Sequence, residues 1–124
     1  MQEQELFNWL KERFIPDLDP TSEFDYKDAY SKANDLYIEL KSRNKHYDQL
    51  VIEKIKYDKL ITLANVRYIN WTPAGIYSFN LHQIAKPYWQ TIPMRKTTEF
   101  ENNNIENKLV GLLDISLAKE ISTL

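Results

Sequence analysis

Asp28-Ala29-Tyr30-Ser31-Lys32-Ala33-Asn34-Asp35-Leu36-Tyr37-Ile38-Glu39-Leu40-Lys41 is the stretch whose reading decides the fold. Its flanks are aromatic and aliphatic, and residues 31–35 form a polar, Asn/Asp-rich turn, which is the composition of a β-hairpin. Side chains alternate across a strand, so Glu39 and Lys41 share one face while Ile38 and Leu40 share the other. A carboxylate and an ammonium then lie side by side, where an acid from the partner strand can join them. Two carboxylates around a hard divalent cation, with a lysine beside them, suit the hydrolysis of a phosphodiester.

The partner acid comes from Phe24-Asp25-Tyr26-Lys27-Asp28-Ala29-Tyr30. On a regular strand Asp25 and Asp28 point to opposite faces, so only one can join Glu39 unless a bulge intervenes. The local pattern leaves the choice open. Phe24, Tyr26 and Tyr30 share the Asp28 face, which suggests that this face packs inward and that Asp28 is the acid in need of a partner.

Outward from the hairpin, residues 2–14 predict a helix. Leu6, Phe7, Leu10 and Phe14 fall at helical spacing and Pro16 stops the run. Glu3 lies one turn earlier on the same side, where it either favours the positive end of the helix dipole or reaches a metal site. Residues 17–23 read as a polar connector. Residues 47–65 predict a long helix with Tyr47, Leu50, Val51, Ile55, Tyr57 and Ile61 in one stripe. Lys54 and Asp58 fall within that stripe, whereas Lys56 and Lys59 point away. A lysine on an apolar face needs an anion, so Lys54 either pairs with Asp58 or reaches the phosphate and metal site behind the sheet.

Residues 66–71 and 76–81 read as a second hairpin joined through Pro73 and Gly75. Residues 82–96 read as a loop, and Arg95-Lys96-Thr97-Thr98 offers cations and hydroxyls for a phosphate backbone. Asn102-Asn103-Asn104 reads as a turn, and residues 109–113 as a final buried strand or helix.

A chain of 124 residues is expected to form one domain over residues 1–124. It lacks cysteine, so disulfides, thiolate metal sites and thiol nucleophiles are excluded. Its two glycines exclude a Gly-rich phosphate loop, and there is no serine-nucleophile elbow. His82 has no second ligand at zinc spacing. The acidic start is unlike a signal peptide and no apolar run spans a bilayer, so a cytoplasmic protein with no membrane partner is expected. If phage-encoded, it would act in the host cytoplasm.

The net charge of −2 argues by itself against a nucleic-acid binder, but its distribution does not. Residues 1–39 carry ten acids against four basic residues, residues 40–96 ten basic residues against three acids, and residues 97–124 a net −3. A basic middle after an acidic start fits a phosphate-facing surface beside a carboxylate-rich site. The phosphate contacts expected there are Arg43, Lys45, His46, Arg95 and Lys96. For His46 a helix-entry hydrogen bond is the competing role.

Ile38-Glu39-Leu40-Lys41, with Asp28 eleven positions before Glu39, resembles the PD-(D/E)XK nucleases, the restriction-endonuclease-like superfamily. Ser42-Arg43 and Ile52-Glu53-Lys54-Ile55-Lys56-Tyr57 are similar to segments of small phage-type and bacterial members. The resemblance covers residues 24 to about 81, with residues 94–100 a weaker match. It implies an α/β (α+β) fold, a central mixed β-sheet flanked by helices with the catalytic acids on a hairpin. It implies that Asp28 and Glu39 hold Mg²⁺ or Mn²⁺, with the Leu40 carbonyl as a further ligand. Lys41 would orient or deprotonate the attacking water or stabilise phosphate charge, and Lys54 would present a polar group from the helix behind. The implied function is a metal-dependent nuclease, a DNA endonuclease or Holliday-junction-resolvase-like enzyme. The sequence departs from the pattern in having Lys27, not proline, before Asp28. Other readings are a catalytically silent module binding DNA, a factor binding a phage or host protein, and an RNA-processing nuclease. A domain this small has little room to clasp a duplex alone, so a homodimer or protein partner is expected.

Overall fold

The computed structural model describes residues 2–22, 25–95 and 105–123. The first helix, α1 (Glu3–Arg13), carries Glu3 and Glu5 in its first turn and Lys11 and Arg13 in its last, charges that complement the helix dipole. It buries Leu6, Phe7 and Leu10. Phe14, expected to complete that stripe, is instead exposed and packs on Trp9, while Ile15 and Leu18 beyond the helix turn inward.

Residues 17–23 are more than a connector, because Asp19–Ser22 forms a short edge strand, β1. Pro20 is tolerated there because an edge strand has one side without a ladder partner. The decisive hairpin follows as β2 (Asp25–Ser31) and β3 (Leu36–Ser42). Its turn is fixed from outside. Asp17 accepts from the Ser31 hydroxyl at 2.7 Å and the Ala33 N–H at 2.8 Å, and Asp35 takes the positive φ (47°) that an Asp tolerates.

The long helix expected over residues 47–65 is absent. That segment holds a strand, β4 (Gln49–Glu53), and only then a seven-residue helix, α2 (Lys54–Leu60). The apolar stripe had joined two periodicities. Leu50 and Ile52 are buried at period two, and Tyr57 and Leu60 at the helical period. Next come β5 (Val66–Thr72) and β6 (Gly75–Phe79), the second hairpin, as expected. Residues 82–96 are not wholly loop, since Gln90–Arg95 forms β7. The apolar run near residue 110 belongs to a ten-residue strand, β8 (Ile105–Asp114). It is not the last element, because β9 (Lys119–Thr123) follows.

The strands form two sheets. A mixed six-stranded sheet has the order β1-β2-β3-β5-β6-β9, antiparallel throughout except for the parallel β3–β5 pair. A three-stranded antiparallel sheet has the order β4-β8-β7. The crossover between the parallel strands carries β4 and α2. The class is therefore α+β, a mixed sheet with α1 and α2 as its α-helices among the described residues. Among them no helix is long and apolar enough to cross a membrane.

Alternation assigns the two faces of the large sheet. Ala29, Ile38, Leu40, Ile69 and Ile76 pack with Leu6, Phe7 and Leu10 of α1. On the opposite face Val66, Tyr68, Tyr77 and Phe79 pack with Leu50 and Ile52 of β4, Tyr57 and Leu60 of α2, and Leu113 of β8. Each such fully buried side chain stabilises the fold by about 1.5–3 kcal/mol relative to exposure. Glu39 and Lys41 project from this second face, between the large sheet and the β4–α2 layer.

Gly111 sits where β8 passes under Pro87 and Trp89. A Cβ there would lie 2.6 Å from Pro87 Cγ and 3.0 Å from the Trp89 ring. Both neighbours are rigid rings, so Gly111→Ala is expected to destabilise by about 1–3 kcal/mol, seen as a lower urea midpoint at unchanged slope. An unchanged midpoint would show that the rings give way freely.

Candidate functional site

The site grows from one rung of the β2–β3 hairpin. Asp28 and Glu39 are directly opposed Cα partners, and Tyr30 and Tyr37, two positions on, stack with ring centroids 4.4 Å apart on the same face. A local irregularity puts Asp28 there. On β1 Pro20 and Ser22 are two positions apart, whereas their partners on β2, Ala29 and Asp25, are four apart, so β2 bulges within residues 26–28. The bulge turns Tyr26 towards α1, where its ring meets Phe7 at 5.1 Å. Tyr26 therefore does not share the Asp28 face as expected, whereas Tyr30 does.

Glu39 is only 4% exposed. Burial, and then the Asp28 carboxylate within hydrogen-bonding reach, push its pKa up to about 7, and Lys56 opposes that rise. The Lys56 ammonium lies 2.9 Å from Glu39 Oε1. Burial works against its charge, but the hydrogen bond and charge of Glu39 outweigh it and raise its pKa. Lys41, one position along the same face, is held below the usual lysine value by burial first and by the Arg43 charge second; Glu3 and Glu53 partly offset this. Glu3, at the start of α1, thus acts electrostatically on the same cluster.

The parallel register places Tyr68 beside Glu39 and Asn70 beside Lys41. Arg43 ties this end together, donating from Nε to Asn70 Oδ1 at 2.9 Å and from Nη2 to the Val51 carbonyl at 2.6 Å and the Tyr68 hydroxyl at 3.1 Å. Tyr68 also donates to the Val51 carbonyl at 3.1 Å, and its full burial raises its pKa. Asn70 Nδ2 is buried without a partner.

Several expected residues have other work. Lys54 pairs with Asp58 at 2.6 Å and lies over the Trp89 ring, so it does not reach the carboxylates. Lys56, two residues on and so on the far side of the helix, does. Beginning the helix at residue 47 had assigned the wrong face. Arg43 engages its Nε and Nη2 inside the fold, while its side chain also lines an open depression at the surface. His46 is half-buried: Nδ1 meets Thr72 Oγ1 at 2.8 Å, Nε2 lies 3.9 Å from Asp48 Oδ1 and the ring rests on Tyr77, with no helix starting nearby. Lys45 is exposed, beside a depression of about 260 Å³ lined by Arg43, Asn44 and Tyr47. Arg95 ends β7, but its side chain and that of Asp25 are outside the described structure, as are residues 96–104 with Lys96, Thr97, Thr98 and the Asn102–104 turn. His82 bonds the Leu63 carbonyl at 2.6 Å.

Among the described residues no group of three or more His, Cys, Asp and Glu side chains forms a metal cluster. Asp28 and Glu39 are the residues that could hold a Mg²⁺ or Mn²⁺ ion. Mg²⁺ is commonly bound through one or two carboxylates, with waters and substrate phosphate completing its shell, and this pair already attracts a cation, the Lys56 ammonium. The Leu40 side chain is core on the α1 face. The N–H groups of Tyr37 and Arg43 both donate towards β5, so the even positions of β3, Leu40 included, aim their backbone groups towards β2. The Leu40 carbonyl therefore lies on the acid-bearing side of the strand.

Sequence reasoning missed Lys56, Tyr68 and Asn70 as members of the cluster. Tyr68 and Asn70 arrive through parallel pairing with a distant strand, for which no local signal exists. Lys56 would have been found had the helix been begun after Glu53. No family model, curated protein or solved structure matches the chain.

Because the Glu39 pKa in the folded chain exceeds the ordinary 4.5, its contribution to stability is complete below about pH 4.5 and lost as pH rises through about 7. Wild-type unfolding free energy is expected to fall between pH 5 and pH 8 by an amount on the order of 2–3 kcal/mol, and Glu39→Gln to flatten that fall. Urea titrations at several pH values check this, and parallel profiles for the two proteins would contradict it.

Proposed function

We propose that the chain is a divalent-metal-dependent phosphodiesterase acting on nucleic acid, built on a restriction-endonuclease-like fold of the PD-(D/E)XK kind. The observation that carries the reading is the opposed Asp28–Glu39 rung with Lys41 two residues along the same face. It is supported by a mixed sheet with α1 against one face and α2 against the other, and by a helix-borne lysine, Lys56, at the acids. DNA is the favoured polymer, as in a DNA endonuclease or junction resolvase.

In this reading Asp28, Glu39 and the Leu40 carbonyl hold Mg²⁺ or Mn²⁺. The cation, when bound, supplies the charge that polarises the phosphate and makes a water acidic enough to attack. Lys41 lies where it can orient that water or take its proton, and its depressed pKa increases the fraction able to accept one. Arg43, held by Asn70, Tyr68 and Val51, keeps the end of β3 in register with β5 and β4. The phosphate would approach from the side of Lys41 and exposed Lys45. A second copy or a protein partner would supply the grip that one small domain lacks.

One observation favours a second reading, a catalytically silent nuclease-fold module that binds DNA or a protein. Glu39 is buried and already neutralised by Lys56, which is also a stable end state.

Incubation with linear, nicked, branched and single-stranded DNA and with RNA, with and without Mn²⁺, separates the two. Cleavage is expected with Mn²⁺ alone, and Lys41→Ala should lower its rate by at least about 10²-fold while metal binding persists. Asp28→Asn should weaken Mn²⁺ binding about tenfold or more by calorimetry. Salt-dependent binding without products would establish the silent module, and full cleavage by the Lys41→Ala protein would remove Lys41 from the mechanism.

A further inference from the structure

Lys56 stands in an unusual relation to the acids it contacts. The Glu39 side chain is 5% exposed while that of Lys56 is 39% exposed, so the lysine reaches in from solvent and its ammonium closes on the Glu39 carboxylate. Its ion pair is with Glu39, and at longer range its charge also feels Asp28. It comes from a seven-residue helix whose N-cap, Glu53, makes no side-chain capping bond. That helix is anchored by Tyr57 and Leu60, and neither the ammonium nor its flexible four-carbon stem is part of the anchor. An ammonium 2.9 Å from a carboxylate oxygen and a divalent cation bound to the same oxygen would stand in each other's place. Two cations sharing one buried carboxylate repel strongly in a medium of low dielectric.

Resting on the metal-dependent reading above, we propose that Lys56 is a built-in counter-ion that exchanges with the divalent cation. Without metal, Lys56 neutralises Glu39 and keeps a buried acid beside the half-buried Asp28 tolerable. When a divalent cation enters, Lys56 leaves Glu39 and swings to the rim beside Lys41, adding a positive charge where an anionic phosphate docks. Metal entry and phosphate affinity are thereby coupled through one side chain. The chain binds free cations weakly, and metal with phosphate binds more tightly than either alone.

The test uses the full chain. Mn²⁺ affinity is measured by calorimetry at pH 8 for wild type and for Lys56→Met, which keeps the stem and removes the charge. The variant is expected to bind about tenfold more tightly. In parallel, wild-type lysines are acetylated with and without saturating Mn²⁺ and quantified by mass spectrometry. Lys56 is expected to become at least about threefold more reactive, read against Lys108, whose 3.0 Å pair with Glu53 is the internal reference. This second measurement needs no variant, so it stands even if Lys56→Met folds poorly. Equal or weaker Mn²⁺ binding by Lys56→Met, or unchanged Lys56 labelling, would overturn the exchange while leaving the metal site intact. Absence of Mn²⁺ binding in both proteins would overturn the exchange and the metal-dependent reading together.

Discussion

A buried carboxylate, Glu39, set directly opposite a half-buried one, Asp28, is the constraint around which this molecule is arranged. Left alone, the two would repel and Glu39 would be starved of water, and such a pair persists in a folded chain only if a proton or a cation answers it. Both answers are present in part. Glu39 holds its proton up to near neutrality, and Lys56 supplies a charge from across the layer. The neighbourhood then follows. Lys41 is cut off from water, with Arg43 and Lys56 opposing its charge and Glu3 and Glu53 favouring it, Arg43 is drawn inward to carbonyl and hydroxyl oxygens, and the apolar packing of β4, α2 and β8 begins only beyond this polar strip.

Polarity is thus concentrated at one end of the contact between the large sheet and the layer above it. Towards Phe79 and Leu113 that contact is ordinary hydrophobic core. Towards Arg43 it becomes a network in which the Val51 carbonyl receives both a guanidinium and a phenol. An apolar substitute at Arg43 would leave that carbonyl and the Asn70 amide short of partners, and buried polar groups are costly when unanswered. Specific positioning and stability are therefore carried by the same few side chains.

What the sequence disclosed and what it hid divide along the range of the interactions. The hairpin was legible because its turn chemistry and alternation are local, and the same holds for β5–β6 and for the start of α1. The β4–α2 segment was misread because Leu50, Ile52, Tyr57 and Leu60 satisfy a helical stripe and also a strand followed by a short helix. β1 and β7 escaped notice because each is short, polar and contains a proline. The face of Asp28 came out as expected, yet for a reason the strand pattern does not contain, since a bulge sends Tyr26 the other way. Of the residues around the acids, those on β3 could be listed from spacing alone. Tyr68 and Asn70 depend on a parallel pairing with no local trace.

That parallel pairing also orders events in time. The hairpin that bears the acids closes through a four-residue turn, whereas β5 can join β3 only after the whole crossover has been brought back over the sheet. Loop-closure entropy makes the first contact fast and the second slow. During folding the acids therefore meet as a hydrated, unremarkable pair, and they become a cation-seeking one only when the crossover docks and shuts water out.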